Sequence, residues 1–342
     1  MCERMFVRWD EQRVEADDEG RLFGLAEESV VRTFDAPEAM GVNFHEVRAK
    51  SALNRVPGGR YGFGWTINPY RGCAHACTFC FARSTHVYLG FDAGQDFERE
   101  IVVKVNTPEL VRAELARPSW KRELVALGTN TDPYQWVEGR YRMMPEILAA
   151  LEAADTPVSV LTKSPLVMRD VEIFARMAER LPVSVNLSVP TLDEEAWRAT
   201  EPHTPSPAAR LDAVAELRAR GIESGVLIAP LMPGINDDPA QVQPIVDRAR
   251  EAGATFLGGV ALNPRDEVRD VFFAWLEAKR PDLLQRYEQL YPGSRAYLRQ
   301  EDRRHATRAV RGWGRSSRGT KESVPERGGG NPPDWRILKL PV

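Results

Sequence analysis

"INPYRGCAHACTFCFAR", residues 67–83, carries three of the four cysteines of a 342-residue chain. Cys73, Cys77 and Cys80 stand in the spacing C-x3-C-x2-C, with Gly72 before the first and Phe79 and Phe81 on either side of the last. The β-type run "GWTINPY" (64–70) leads straight into them, so the cysteines belong to the loop after a strand. Five more such runs follow: "ELVALG" (123–128), "PVSVLT" (157–162), "VSVNLSV" (183–189), "IESGVLIA" (222–229) and "TFLGGVAL" (255–262). Their starts lie 34, 26, 39 and 33 residues apart, the length of a strand plus a helix. Continuous Val, Ile and Leu, with little alternation, predicts strands buried on both faces of a parallel sheet.

The helices between these runs have legible ends. Thr107-Pro108, Ser206-Pro207 and Asp238-Pro239 read as N-cap and first-turn pairs, and Gly221 and Gly253 as stops. Such βα units build a doubly wound sheet or a barrel. We expect an α/β fold, a partial (β/α)6 TIM-type barrel at 61–265. An N-terminal extension (1–60) precedes it, and a C-terminal helical segment (266–311) and a disordered basic tail (312–342) follow. Ligands of either architecture gather at the C-terminal ends of the strands, so the cysteine loop lies at the functional end.

Hydrophobic residues make up 43% of the chain and charged residues 28%, ordinary values for a soluble globular enzyme. No apolar run approaches the roughly 18 residues of a membrane span, and the charged N-terminus lacks a signal-peptide core. Clustered cysteines do not make a disulfide framework, which points to a reducing, cytoplasmic setting. From Arg303 to Lys339, eight Arg and two Lys face three acids, a local +7 within a chain of net charge -3. Such a tail either keeps the chain soluble or holds nucleic acid through its phosphates.

Three thiolates on one short loop leave a tetrahedral ion, or a cube of four irons, one ligand short. In one reading, His75 or His86 completes a structural zinc site in a non-enzymatic nucleic-acid-binding protein. Against this, the loop has no second ligand pair, and His75 stands awkwardly between two of the cysteines. In the other reading, Cys73, Cys77 and Cys80 hold three irons of a 4Fe–4S cluster, and the fourth iron is open to a small molecule.

"CAHACTFC" after the first strand of a βα array, Phe79 included, resembles the signature of the radical S-adenosylmethionine (radical SAM) superfamily. That resemblance implies that S-adenosyl-L-methionine chelates the open iron. One electron, from a reductase such as a flavodoxin or ferredoxin, then releases a 5′-deoxyadenosyl radical that takes hydrogen from a substrate. Polar groups at successive strand ends are candidates to hold this cosubstrate. Gly128, Thr129, Asn130, Thr131 and Asp132 of "GTNTDPYQ" stand where the superfamily has a Gly-Gly-Glu-like segment, and suit the ammonium. Lys163 and Ser164 follow the third strand, the lysine suiting the carboxylate, and Asn186 and Ser188 on the fourth suit the ribose. The apolar start of "IAPLMPGIND" suits the adenine edge. Thr/Asn/Asp strings are also plain turn formers, and Glu201 with Arg210 reads equally as a loop-holding ion pair.

"NPYRGCAHACTFCFAR", "GTNTDPYQ", "LTKS", "VMRD" and "APLMPGIND" together resemble the spore photoproduct lyase-like branch of that superfamily. "FHEVRAKSALNRVPGG", "RPSWKRELVALGTNTDPYQWVEGRY" and "RYEQLY" resemble an actinobacterial subfamily of the branch whose substrate is not established. The resemblance spans residues 42–300. The lyase returns hydrogen through a cysteine near the end of the second strand, assisted by a tyrosine beside the last cluster cysteine. Here Phe81 stands in the tyrosine's place, and no cysteine follows Cys80. Cys2 and Tyr134 are the remaining candidate donors, so the branch carries over and the repair reaction does not.

Overall fold

The computed structural model describes residues 30–34, 39, 41–56 and 62–310, and the backbone of 14–17. Its strands are β1 (Val14–Asp17), β2 (Val30–Phe34), β3 (Asn43–Val47), β4 (Leu53–Arg55), β5 (Trp65–Ile67) and β6 (Tyr70–Arg71). The remainder are β7 (Glu100–Lys104), β8 (Val125–Leu127), β9 (Val158–Thr162), β10 (Val183–Ser188), β11 (Glu223–Leu231) and β12 (Phe256–Ala261). The larger sheet has the order β12-β11-β10-β9-β8-β5-β4. Its six expected strands, β5 and β8 to β12, pair in parallel, and β4 adds an antiparallel edge beside β5. Each parallel strand lies next to its predecessor without a reversal of direction. The sheet is therefore partial and barrel-like rather than doubly wound.

One face of these strands presents Val125, Leu127, Val158, Val160, Val183, Val185 and Leu187, all buried. Helices Met143–Ala153, Val171–Ala178 and Pro207–Ala219 cover it with Ile147, Leu148, Phe174, Met177, Leu211, Val214 and Leu217. The expectation of uniformly apolar strands is corrected on the other face. Ser159, Ser184 and Asn186 stand there half-buried, and Ser184 Oγ donates to Ser159 Oγ at 2.9 Å. Period-2 alternation thus separates a packing face from a polar interior face.

A second sheet, β1-β2-β3-β7-β6, was not read from the sequence. β3 and β7 run parallel and β6 closes against β7 antiparallel, so the strand that enters the cysteine loop is tied to this sheet. Phe34, Phe44, Tyr70, Ile101 and Val103 share the core of the larger sheet.

Two helix starts are as expected: Ser206 Oγ accepts from Ala209 N, and Asp238 accepts from Ala240 N. Gly221 and Gly253 take positive φ after those helices. The third start is corrected by one residue, because Asn106 precedes helix Thr107–Leu115. Thr107 Oγ1 instead donates to Lys104 O, and the Asn106 amide bonds both the N–H and the carbonyl of Ala49. Helices Glu267–Lys279, Pro281–Leu290 and Gln300–Ala306 follow β12. Their Phe272, Leu276, Tyr287 and Ala306 cluster with Cys77 and Phe79, so these C-terminal helices pack onto the cysteine loop. The expected tail (312–342) and Cys2 lie outside the described residues. Among those residues, no helix is long and apolar enough to cross a membrane.

Candidate functional site

Gly72 turns the chain out of β6 at φ +77°, a conformation glycine adopts without strain. A side chain there would press on Phe97 O at 2.9 Å and the His86 ring at 3.0 Å. The loop that follows is fastened from several elements. Cys73 N donates to Phe97 O at 2.9 Å, and Thr78 N to Thr200 O at 3.0 Å. Gln135, in the loop after β8, accepts from Ala74 N at 3.0 Å and donates to Gly72 O at 3.2 Å. Arg83, only 2% exposed, donates to the carbonyls of Cys77, Ala76, Ala93 and Gly94 and pairs with Glu98. Neither Gln135 nor Arg83 was singled out from the sequence.

All three loop cysteines are free; Cys73 and Cys77 are buried and Cys80 half-buried. Burial pushes the Cys73 thiol up to about 12, helped by the Asp132 charge, and raises Cys77 and Cys80 as well. Only a bound cation would hold them as thiolates at neutral pH. Among the described residues, no group of three or more His, Cys, Asp or Glu is gathered as ligands of a single ion would be. His75 is buried, its pKa lowered by burial, with Nδ1 3.4 Å from Asp132 Oδ2. His86 turns away, its Nε2 on Glu100 O at 2.9 Å and its ring stacked on Phe91.

Beside Cys77 lies a buried charge network. Lys163 Nζ is 2.7 Å from Glu201 Oε1, donates to Ser188 Oγ at 2.9 Å, and stands 5.5 Å from the Phe79 ring centroid. Glu201 Oε2 accepts from Arg210 Nη1 at 2.8 Å, and Arg210 also donates to Ser188 O, Thr204 Oγ1 and Pro205 O. Arg210 and Glu201 are both wholly buried. Burial pulls the lysine pKa down, but Glu201 and Cys77 outweigh it and the pKa ends raised. Burial likewise opposes ionisation of Glu201, and its two cations overcome it. Of the two readings of Glu201 and Arg210, the pair that holds the loop is the one realised.

The polar string after β8 divides into structural and open members. Gly128 has φ +84°, and an added Cβ would stand 1.8 Å from Leu161 O, so only glycine fits. Thr131 Oγ1 donates to Tyr70 O. Asp132 accepts from Thr162 Oγ1 at 2.6 Å, Lys163 N at 2.7 Å and Tyr134 N at 2.9 Å, and so clamps the end of β9. Ser164 caps the short helix Pro165–Asp170 by accepting from Leu166 N. Thr129, Asn130 and Asn186 are half-buried, and their side chains have no hydrogen-bond partner among the described residues. Tyr134 is wholly buried, and its hydroxyl donates to Asp170 Oδ2 at 3.0 Å.

A barrel-like sheet carries a fastened three-thiol loop at its strand ends, next to an internal lysine–carboxylate–arginine network, at the end where α/β enzymes bind their ligands. The chain belongs to the radical SAM superfamily, whose family profile matches residues 67–242. It is 45% identical over 290 residues to uncharacterized proteins of Mycobacterium tuberculosis and Mycobacterium bovis, covering 83% of this chain and 85% of theirs. An uncharacterized protein of Methanocaldococcus jannaschii is 27% identical over 194 residues, 56% of this chain and 69% of its own. A spore photoproduct lyase variant has the same fold, with TM-score 0.58, 16% identity and coverage of 78% of this chain and 76% of that one. The lyase complexed with dinucleoside spore photoproduct gives TM-score 0.54 at 14% identity, covering 76% and 84%. The protein is thus a member of a family of enzymes that generate radicals from S-adenosylmethionine. The reading as a non-enzymatic zinc protein is set aside by that membership and by the engagement of His86 elsewhere.

Proposed function

We propose that Cys73, Cys77 and Cys80 hold three irons of a 4Fe–4S cluster and that S-adenosylmethionine binds beside it, across the ends of β8 to β10. The observation that carries this reading is the loop itself: three free, mostly buried thiols on a loop that is fastened to its neighbours through hydrogen bonds to its backbone. Soft thiolate donors in a dry surround suit iron–sulfur chemistry. A cube sets its thiolates on different irons, so the three need not converge on one point. When bound, this pair of groups supplies the one-electron cleavage of a sulfonium that yields a carbon radical.

The chain's own residues have distinct parts. Lys163, held by Glu201 and Ser188 over Phe79, supplies positive charge next to Cys77. Thr129, Asn130 and Asn186 keep unspent polar groups for the cosubstrate, whereas Gly128, Thr131, Asp132 and Ser164 shape the strand ends that carry them. Residues 61–265 form the catalytic unit, reduced by a one-electron donor of the flavodoxin or ferredoxin kind.

Iron and sulfide counting after anaerobic reconstitution tests the assignment. Alanine at Cys73, Cys77 or Cys80 should each abolish the cluster, and Cys2→Ala should leave it whole. A full cluster in any loop variant sinks the reading.

We further propose that the reaction is not photoproduct repair. Phe81 has no hydroxyl, Tyr134 commits its own to Asp170, and the remaining thiol is Cys2. With spore photoproduct dinucleotide, dithionite and S-adenosylmethionine, 5′-deoxyadenosine should form without efficient release of thymine dinucleotide. Multiple-turnover release would overturn this part and leave the cluster assignment standing.

A further inference from the structure

The small sheet carries a second lysine with quite different company. On β7, Glu100, Val102 and Lys104 share one face, while Ile101 and Val103 enter the core on the other. Arg71 of β6 lies opposite Val102, so Arg71 and Lys104 are diagonal neighbours on the same face. Lys104 Nζ donates to Asn68 O at 3.0 Å, which is its single partner among the described residues. Two of its three N–H groups are therefore unspent. The guanidinium of Arg71, a half-buried residue, has no hydrogen-bond or ion-pair partner among the described residues. The acid on that face is already committed: Glu100 accepts from Asn43 Nδ2 at 2.9 Å and meets His45 Nε2 at 2.6 Å.

Two partly buried cations thus stand side by side, while the carboxylate of this face, Glu100, lies on the other diagonal of Arg71 and is held by Asn43 and His45. The face is left with more positive than negative charge, an arrangement that favours a bound counter-ion. Burial, with Arg71 second, lowers the Lys104 pKa to about 8. Along the chain the pair brackets the entry to the cysteine loop: Asn68 follows β5, and Arg71 immediately precedes Gly72. Asn68 also keeps Oδ1 buried without a partner, an acceptor for a donor hydroxyl.

We propose that Arg71 and Lys104 form a binding site for a phosphate group of the substrate. Two cations against one carboxylate leave a net positive face that favours a phosphate group, either a monoester or a diester. An arginine fork and a lysine point charge are the usual partners of such an oxyanion. The site depends on neither the cluster nor S-adenosylmethionine, so its failure and that of the cluster assignment are read separately.

The experiment uses the full chain and acylation of Lys104 at near-neutral pH, followed by mass spectrometry. Inorganic phosphate, thymidine 5′-monophosphate and the dinucleotide TpT should each slow modification several-fold, and thymidine should not. Protection by the two small phosphates but not by TpT would keep the site and assign it to a small phosphorylated molecule. Stronger protection by TpT would assign it to a nucleic-acid strand. Equal effects of thymidine and its monophosphate, or no effect of any at millimolar concentration, overturn the proposal. Lys104→Met should weaken phosphate affinity about tenfold, with Lys104→Arg restoring most of it and iron content unchanged in both. Wild-type affinity in Lys104→Met would equally overturn it.

Discussion

On one side of the cysteine loop Lys163 meets Glu201, and Arg210 closes the carboxylate from behind. On the other side Lys104 meets a backbone carbonyl and a neighbouring arginine. Both ammonium groups are largely removed from water, and burial alone would push both pKa values down. The carboxylate reverses the sign for Lys163; nothing does so for Lys104. One flank is electrostatically complete and serves as scaffold, whereas the other still lacks its counter-charge.

The most severe way to break this contrast is Glu201→Gln, which strands two buried cations. We expect a loss of about 3–5 kcal/mol, read from urea unfolding. An unchanged midpoint would mean that the network is not held by charge.

Replacing each lysine by methionine separates the flanks by sign. Lys104 has a folded pKa of about 8 against 10.5 unfolded. Between those values the unfolded chain binds the extra proton, so stability rises with pH there, and below pH 8 the charged lysine costs on the order of 3 kcal/mol. Lys104→Met should therefore be at least as stable as the parent at pH 7 and should flatten the rise between pH 8 and 10.5. Lys163 contributes in the opposite sense: its folded pKa is raised, so its stabilisation is present below 10.5 and fades as the pH climbs through the folded value. Lys163→Met should cost about 1.5–3 kcal/mol at pH 7. Destabilisation of equal size in both variants would erase the distinction.

The smallest effect sharpens it. Ser206 opens the helix that carries Arg210, and Ser206→Ala should cost about 1 kcal/mol. Lys104 acylation should not respond, because that helix packs on the far flank. A changed rate would couple the two sides.

The difference between the flanks also marks what a sequence can yield. The six parallel strands were legible because each is an unbroken local run followed by its own helix. The cysteines were legible because their spacing is itself the signal. The small sheet was not: β6 has two residues, and β7 pairs with a strand far back in the chain. Gln135 and Arg83 escaped because both act on backbone carbonyls and N–H groups, which no side-chain motif records. Gln135 does close the string "TNTDPYQ", and that adjacency was the available hint. Lys163 was found at its strand end, but its partner Glu201 comes 38 residues later, and only the fold brings them together. Lys104 offered no signal, since an absent partner has no sequence signature.

The bonds that tie the cysteine loop to other elements run from Phe97, Gln135, Thr200 and Arg83 to its backbone atoms, and sulfur enters only a long contact inside the loop, from Cys77 Sγ to His75 O at 4.0 Å. The loop is consequently a socket and not a rivet. In a zinc finger the metal is the fold, and stripping it unravels the chain. Here a chelator should empty the socket and leave the melting curve nearly where it was, so oxygen damage to whatever the thiols hold becomes a repair confined to one loop, with the rest of the enzyme standing ready for the replacement.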